Sequence, residues 1–196
     1  MPSAENLSRQ GGFSLIELTV ATGLSLMVLS LLVHLLMAGK QAALSRSLQL
    51  ILAQDVQDAW RMLSGDVRRA GFQTADPGTP LLLPGAVHTI QVTAGHCLVM
   101  SYELAGRAVV KAYYQQDGEL RVRSSHDTFS SPEQACQGGQ ALLDGRWMTV
   151  TGWQVQSDTY QAEGVPGQQL SVRLSVSSLD GSTQLDETMA LRVRNP

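Results

Sequence analysis

The feature that most constrains this chain is an apolar run near its start. From residue 13 to residue 38 it reads FSLIELTVATGLSLMVLSLLVHLLMA, and its only formally charged side chain is Glu17. A run of this length, wound as a helix, reaches across the roughly 30 Å hydrocarbon core of a bilayer. It is too long for the apolar part of a secretory signal peptide, and the preceding residues carry a single base, Arg9, offset by Glu5. A plain membrane anchor accounts for the length but not for the acid. A carboxylate deep in a membrane helix costs about 2.5–3.5 kcal/mol on insertion scales, and less near the end of the span, where Glu17 lies. The basic residues Lys40 and Arg46 follow the span, so charge alone does not set a leader-inside orientation.

The helical pattern continues past the apolar run. Leu44, Leu48, Leu52, Val56, Ala59, Leu63, Val67 and Ala70 recur in steps of three or four, which marks one face of a helix. Gln49, Gln54, Asp55, Gln57, Asp58, Arg61, Asp66 and Arg68 fall between them and are expected to face solvent. Arg68 and Arg69 followed by Gly71 give a stop signal. One helix is therefore predicted from about Phe13 to Ala70, roughly 85 Å long at 1.5 Å per residue.

Beyond it, a Pro-rich loop over residues 76–84 gives way to strand signals. Strands are predicted over residues 96–102, 107–114, 119–123, 146–156 and 170–176, with a last one through Met189, Leu191 and Val193. Asp117-Gly118 and Asp180-Gly181 are turn pairs. Residues 124–145 read as irregular. The expectation is one antiparallel sheet packed on the second half of the helix.

Two cysteines, Cys97 and Cys136, lack the close spacing of a zinc site. They form one disulfide if the domain is exported, and two buried thiols if it is not. His34, His88, His96 and His126 show no metal-ligand spacing, and no nucleophile elbow, phosphate-binding glycine loop or C-x-x-C occurs. The sequence thus nominates no catalytic residue, metal or cofactor. The mild net charge of −3 gives no reason to expect nucleic-acid binding by bulk electrostatics. Arg107, Arg121, Arg123, Arg146, Arg173, Arg192 and Arg194 offer a basic face for DNA as a minor reading; alternation on strands explains them more simply. His34 reads as a neutral side chain near the interface.

The junction Gly11-Gly12-Phe13-Ser14-Leu15-Ile16-Glu17 resembles the processing signal of type IV pilins and type II secretion pseudopilins. The resemblance implies cleavage between Gly12 and Phe13, N-methylation at Phe13, and Glu17 as the fifth mature residue, acting in assembly. The helix end Asp66-Val67-Arg68-Arg69-Ala70-Gly71-Phe72 is similar to that of the minor pilin PilW, the prepilin peptidase-dependent protein PpdB and the J-type pseudopilins. Gly95 to Val99, with a later cysteine and Trp147, also looks like PpdB. Many major pilins place a proline where this chain has His34, which hints at a minor subunit.

The implied architecture is α+β and type IV pilin-like. It comprises a leader (1–12), a transmembrane or fibre-core helix (13–38), its amphipathic continuation (39–71) and a β-rich periplasmic head (72–196). The implied role is structural rather than enzymatic: a minor pilin that helps start or cap a pilus. Its partners would be other minor and major pilins, prepilin peptidase and the inner membrane, and its final location a fibre or pilus tip. The alternatives are a type II secretion minor pseudopilin and a tip adhesin or DNA-uptake pilin. Asp66 and Arg69 are expected to be an ordinary i, i+3 surface pair.

Overall fold

The computed structural model describes residues 14–76, 78–127, 129–162 and 165–195. Helix α1 runs over Leu15–Arg69, one long helix as the periodicity predicts. By compactness the chain divides after Leu44. In the first unit α1 is exposed along its length and is long and apolar enough to cross a membrane.

In the second unit α1 buries Leu52, Val56, Ala59, Trp60, Leu63, Asp66 and Val67. The apolar face begins later than the sequence pattern suggests, since Leu44 is 56% exposed. The remainder of the unit is β1 (Ile90–Thr93), β2 (Cys97–Leu104), β3 (Arg107–Gln116), β4 (Glu119–Ser125), the single-turn α2 (Pro132–Ala135), β5 (Gln140–Ala141), β6 (Met148–Ala162), β7 (Val165–Ser178) and β8 (Gln184–Arg192). All neighbouring strands pair antiparallel.

The single sheet expected from sequence is instead two: β1-β2-β3-β4-β5 and β6-β7-β8. Period-two alternation fixes which face of a strand is buried, not which edges pair. The sheets are joined by edge contacts. Val150 and Val155 on β6 donate backbone N–H groups to the carbonyls of Gly118 (2.7 Å) and Gly95 (2.8 Å). Gln168, buried on β7, accepts from the Ile90 N–H and donates to the Ile90 carbonyl.

Asp117 and Gly118 both take positive φ (53° and 76°), which a two-residue turn of this hand requires. Ala105-Gly106 makes the same kind of turn between β2 and β3. The β6–β7 register shifts between Val150 and Gly152, a bulge that bends β6. In the turn between β7 and β8, hydrogen bonds from the Ser178 hydroxyl and from the Ser182 N–H and hydroxyl hold the Asp180 carboxyl down at about 2.

The five-stranded sheet is covered on both faces. Leu98, Met100, Tyr113, Leu120 and Val122 join the core formed with α1 and the second sheet. The intervening Cys97, Val99, Val110, Ala112 and Tyr114 pack with Leu83, Phe129 and Ala135. The segment 124–145 therefore supplies a cover for the outer face, and α2 and β5 lie within it where the sequence suggested only irregular chain.

Candidate functional site

Two acids stand out. Glu17 lies in the first turn of α1 and is exposed among exposed Leu15, Ile16, Leu18 and Val20. The nearby hydroxyls fold back onto the helix: Thr19 and Thr22 donate to the carbonyls of Ile16 and Thr19, and Ser25 to that of Ala21. Such bonds satisfy hydroxyls in an apolar setting. Among the described residues, no hydrogen bond or ion pair reaches Glu17. Gly12 and Phe13, the expected processing junction, lie outside the described residues.

Asp66 overturns its sequence reading. It is 2% exposed, not part of a solvated face. The reason is register. Tyr102 shares a face of β2 with Leu98 and Met100, and Met100 pairs with Lys111 and Leu98 with Tyr113 on β3. This face meets α1 where Asp66 points inward. The Tyr102 hydroxyl donates to Asp66 Oδ1 at 2.8 Å and the Tyr113 hydroxyl to Oδ2 at 2.5 Å. Arg69 Nη2 is 3.1 Å from Oδ1 and Lys111 Nζ 3.8 Å from Oδ2. Arg69 also lies over the Tyr102 ring, 5.2 Å from its centroid. Both carboxylate oxygens are thus satisfied by donors and countered by cations, the condition for burying a charge. Burial, and next the Asp66 carboxylate, hold both tyrosine phenols well above their usual range.

The residues after Asp66 lock the helix end. Gly71 has φ of 77°, and a Cβ there would sit 2.8 Å from both the Asn195 carbonyl oxygen and Thr89 Cγ2. Its N–H donates to the Ser101 carbonyl and its carbonyl accepts from Leu81 N–H, both at 2.8 Å. The Phe72 carbonyl accepts from Glu103 N–H, and Asn195 Nδ2 donates to the Ala70 carbonyl. The motif is a junction of helix, β2, loop and chain end. A second joint, which the sequence did not disclose, lies about three turns earlier: Trp60 Nε1 donates to Glu187 Oε2 on β8 at 2.6 Å.

Cys97 on β2 and Cys136 beside α2 stand in disulfide-compatible geometry, with Cα atoms 6.1 Å apart. The arginines do not assemble one basic face. Arg121 bonds Glu119 and the Gly138 and Gly139 carbonyls; Arg123 bonds the Gln134 and Gln137 carbonyls. Arg146 pairs with Asp144 and Arg173 with Asp186. Among the described residues, no cluster of three or more His, Cys, Asp or Glu is arranged to hold a metal.

A family model described as "Prepilin peptidase-dependent protein B", PpdB, matches residues 45–195. The chain belongs to this family. No curated protein and no solved structure gives a match. The PpdB match starts at Ser45, where the second compact unit also starts. It takes in the Asp66 cluster, the helix end and both cysteines of this chain. Glu17 and the Gly12–Phe13 junction precede the matched residues. PpdB proteins are prepilin peptidase-dependent and pilin-like, which agrees with an apolar N-terminal helix followed by an antiparallel β head.

Proposed function

We propose that this chain is a minor pilin that prepilin peptidase cuts between Gly12 and Phe13 and that helps initiate or cap a type IV pilus. Residues 13–38 hold it in the inner membrane, and in the fibre the same residues pack among neighbouring helices. Residues 39–71 continue the rod, and residues 72–196 form a periplasmic head. The new Phe13 amine, N-methylated, supplies a cation to a neighbour's Glu17. An ion pair in a low-dielectric setting is strong and intolerant of misplacement, so it fixes how far one helix slides along the next.

The observation that carries this reading is Glu17, without a hydrogen-bond or ion-pair partner among the described residues, in an exposed apolar helix that precedes the residues matched to PpdB. The test is Glu17→Ala, followed in membrane and sheared-fibre fractions. Normal membrane levels with loss from the fibre support the role. Wild-type recovery in the fibre would refute it.

A further inference from the structure

At the C-terminal end of α1 the helix, the following loop, the β2–β3 turn, Arg194 and Asn195 surround an open groove of about 760 Å³. Its chemistry is lopsided. Arg68, Arg69 and Arg194 line it, against a single lining carboxylate among the described residues, Glu103. Glu103 is already engaged by the Thr74 N–H (2.8 Å) and hydroxyl (2.5 Å), and Arg69 by Asp66. Arg68 and Arg194 are exposed and form no ion pair among the described residues. Phe72 and Leu104, which also line the groove, keep 47% and 49% of their surface exposed. The protein as a whole carries a net charge of −3, so this is a local reversal of sign.

We propose that the groove docks an acidic peptide segment of another protein. Arg68 and Arg194 take its carboxylates, and an apolar side chain lies against Phe72 and Leu104. Guanidinium groups bind carboxylates through paired N–H donors, and half-exposed aromatic and aliphatic side chains gain from being covered. A nucleic-acid strand is the poorer match. It calls for cations that track successive phosphates, whereas among the described residues this groove has two cations outside any ion pair and a carboxylate on its wall. The docking goes beyond the assembly role of the N-terminal helix and is measurable without a fibre.

The full chain in detergent is titrated with a fluorescent Glu-Asp-Phe-Glu-Leu-Asp peptide, its Gln/Asn counterpart, and a short oligothymidylate, read by anisotropy. Saturable binding of the acidic peptide is expected, at least about tenfold tighter than the neutral one and weakened by salt. Arg68→Gln with Arg194→Gln should abolish that preference, and the corresponding lysine pair should restore part of it. Phe72→Ala should weaken both peptides. An unchanged melting temperature shows that each variant is folded, and a variant that melts early is replaced by Phe72→Leu or a single arginine change. No saturation, equal binding of the neutral peptide, preference for the oligothymidylate, or indifference to the arginine pair would each overturn the proposal.

Discussion

The Tyr113 hydroxyl donates to the Asp66 carboxylate at 2.5 Å, tying the middle of β3 to the last turns of α1 across 47 residues of sequence. Tyr102 does the same from β2, and Arg69 and Lys111 supply charge. The acid is therefore what three elements share.

Replacing that acid tests how much the junction matters. Asp66→Ala leaves two buried phenol hydroxyls and a nearly buried ammonium without their acceptor, and should cost about 3–5 kcal/mol. Asp66→Asn keeps the shape and one acceptor, and should cost about 1–3 kcal/mol. Denaturant melts of the detergent-solubilised chain, followed by the fluorescence of Trp60, Trp147 and Trp153, give both numbers.

The same pair of tyrosines predicts alkaline sensitivity. Burial and Asp66 raise both phenol pKa values in the fold, while the unfolded phenols ionise near 10. Below that pH both states hold the proton and stability is unaffected. Above it only the unfolded chain releases protons, so stability falls as pH rises. Of the four tyrosines, Tyr102 and Tyr113 should show no phenolate absorbance at 295 nm until the head unfolds. Smooth titration of all four in a folded head would contradict this.

The cysteine pair predicts a redox effect on one region. Bridging Cys97 to Cys136 ties the cover over residues 124–145 to β2, and loss of the bridge should cost about 2–4 kcal/mol, mainly through a freer unfolded chain. Cys97→Ser with Cys136→Ser should lower the melting temperature, and reductant should do the same to the wild type but not to the variant. Equal melting with and without reductant in the wild type would argue that the bridge is absent or idle.

How much of this was legible in the sequence depended on range. The helix, its end at Gly71 and the strands came from local periodicity and turn pairs, because those signals lie within a few residues. The hairpin at Asp117-Gly118 is the plainest case, with positive φ at both residues. The division into two sheets was not legible: it depends on contacts such as Val150 to Gly118 and Gln168 to Ile90. Nor was β1 or β5, at four and two residues too short to show a period. Asp66 was misread for the same reason. An acid beside arginines looks solvated until the register of β2 and β3 brings two tyrosines onto its face. Trp60, absent from the predicted apolar stripe, is buried in the main apolar core, and Glu187 gives its ring nitrogen an acceptor there.

Gly71 offers a test of the helix end without touching charge. Gly71→Ala forces a side chain into a left-handed backbone position and against the Asn195 carbonyl and Thr89, so a loss of about 1–3 kcal/mol is expected. Gly106→Ala also has positive φ but meets nothing within 4 Å, and should cost less. The difference in melting temperature between the two isolates the steric part.

The account as a whole turns on whether the chain is trimmed so that Glu17 becomes the fifth residue of an assembling subunit. Intact-mass and N-terminal peptide mass spectrometry of the protein recovered from cells addresses it directly. The prediction is a chain beginning at N-methylated Phe13, with residues 1–12 gone, and unprocessed protein accumulating when prepilin peptidase is inactive. A mature protein that retains residues 1–12, or one cut elsewhere and released without its apolar helix, would contradict it.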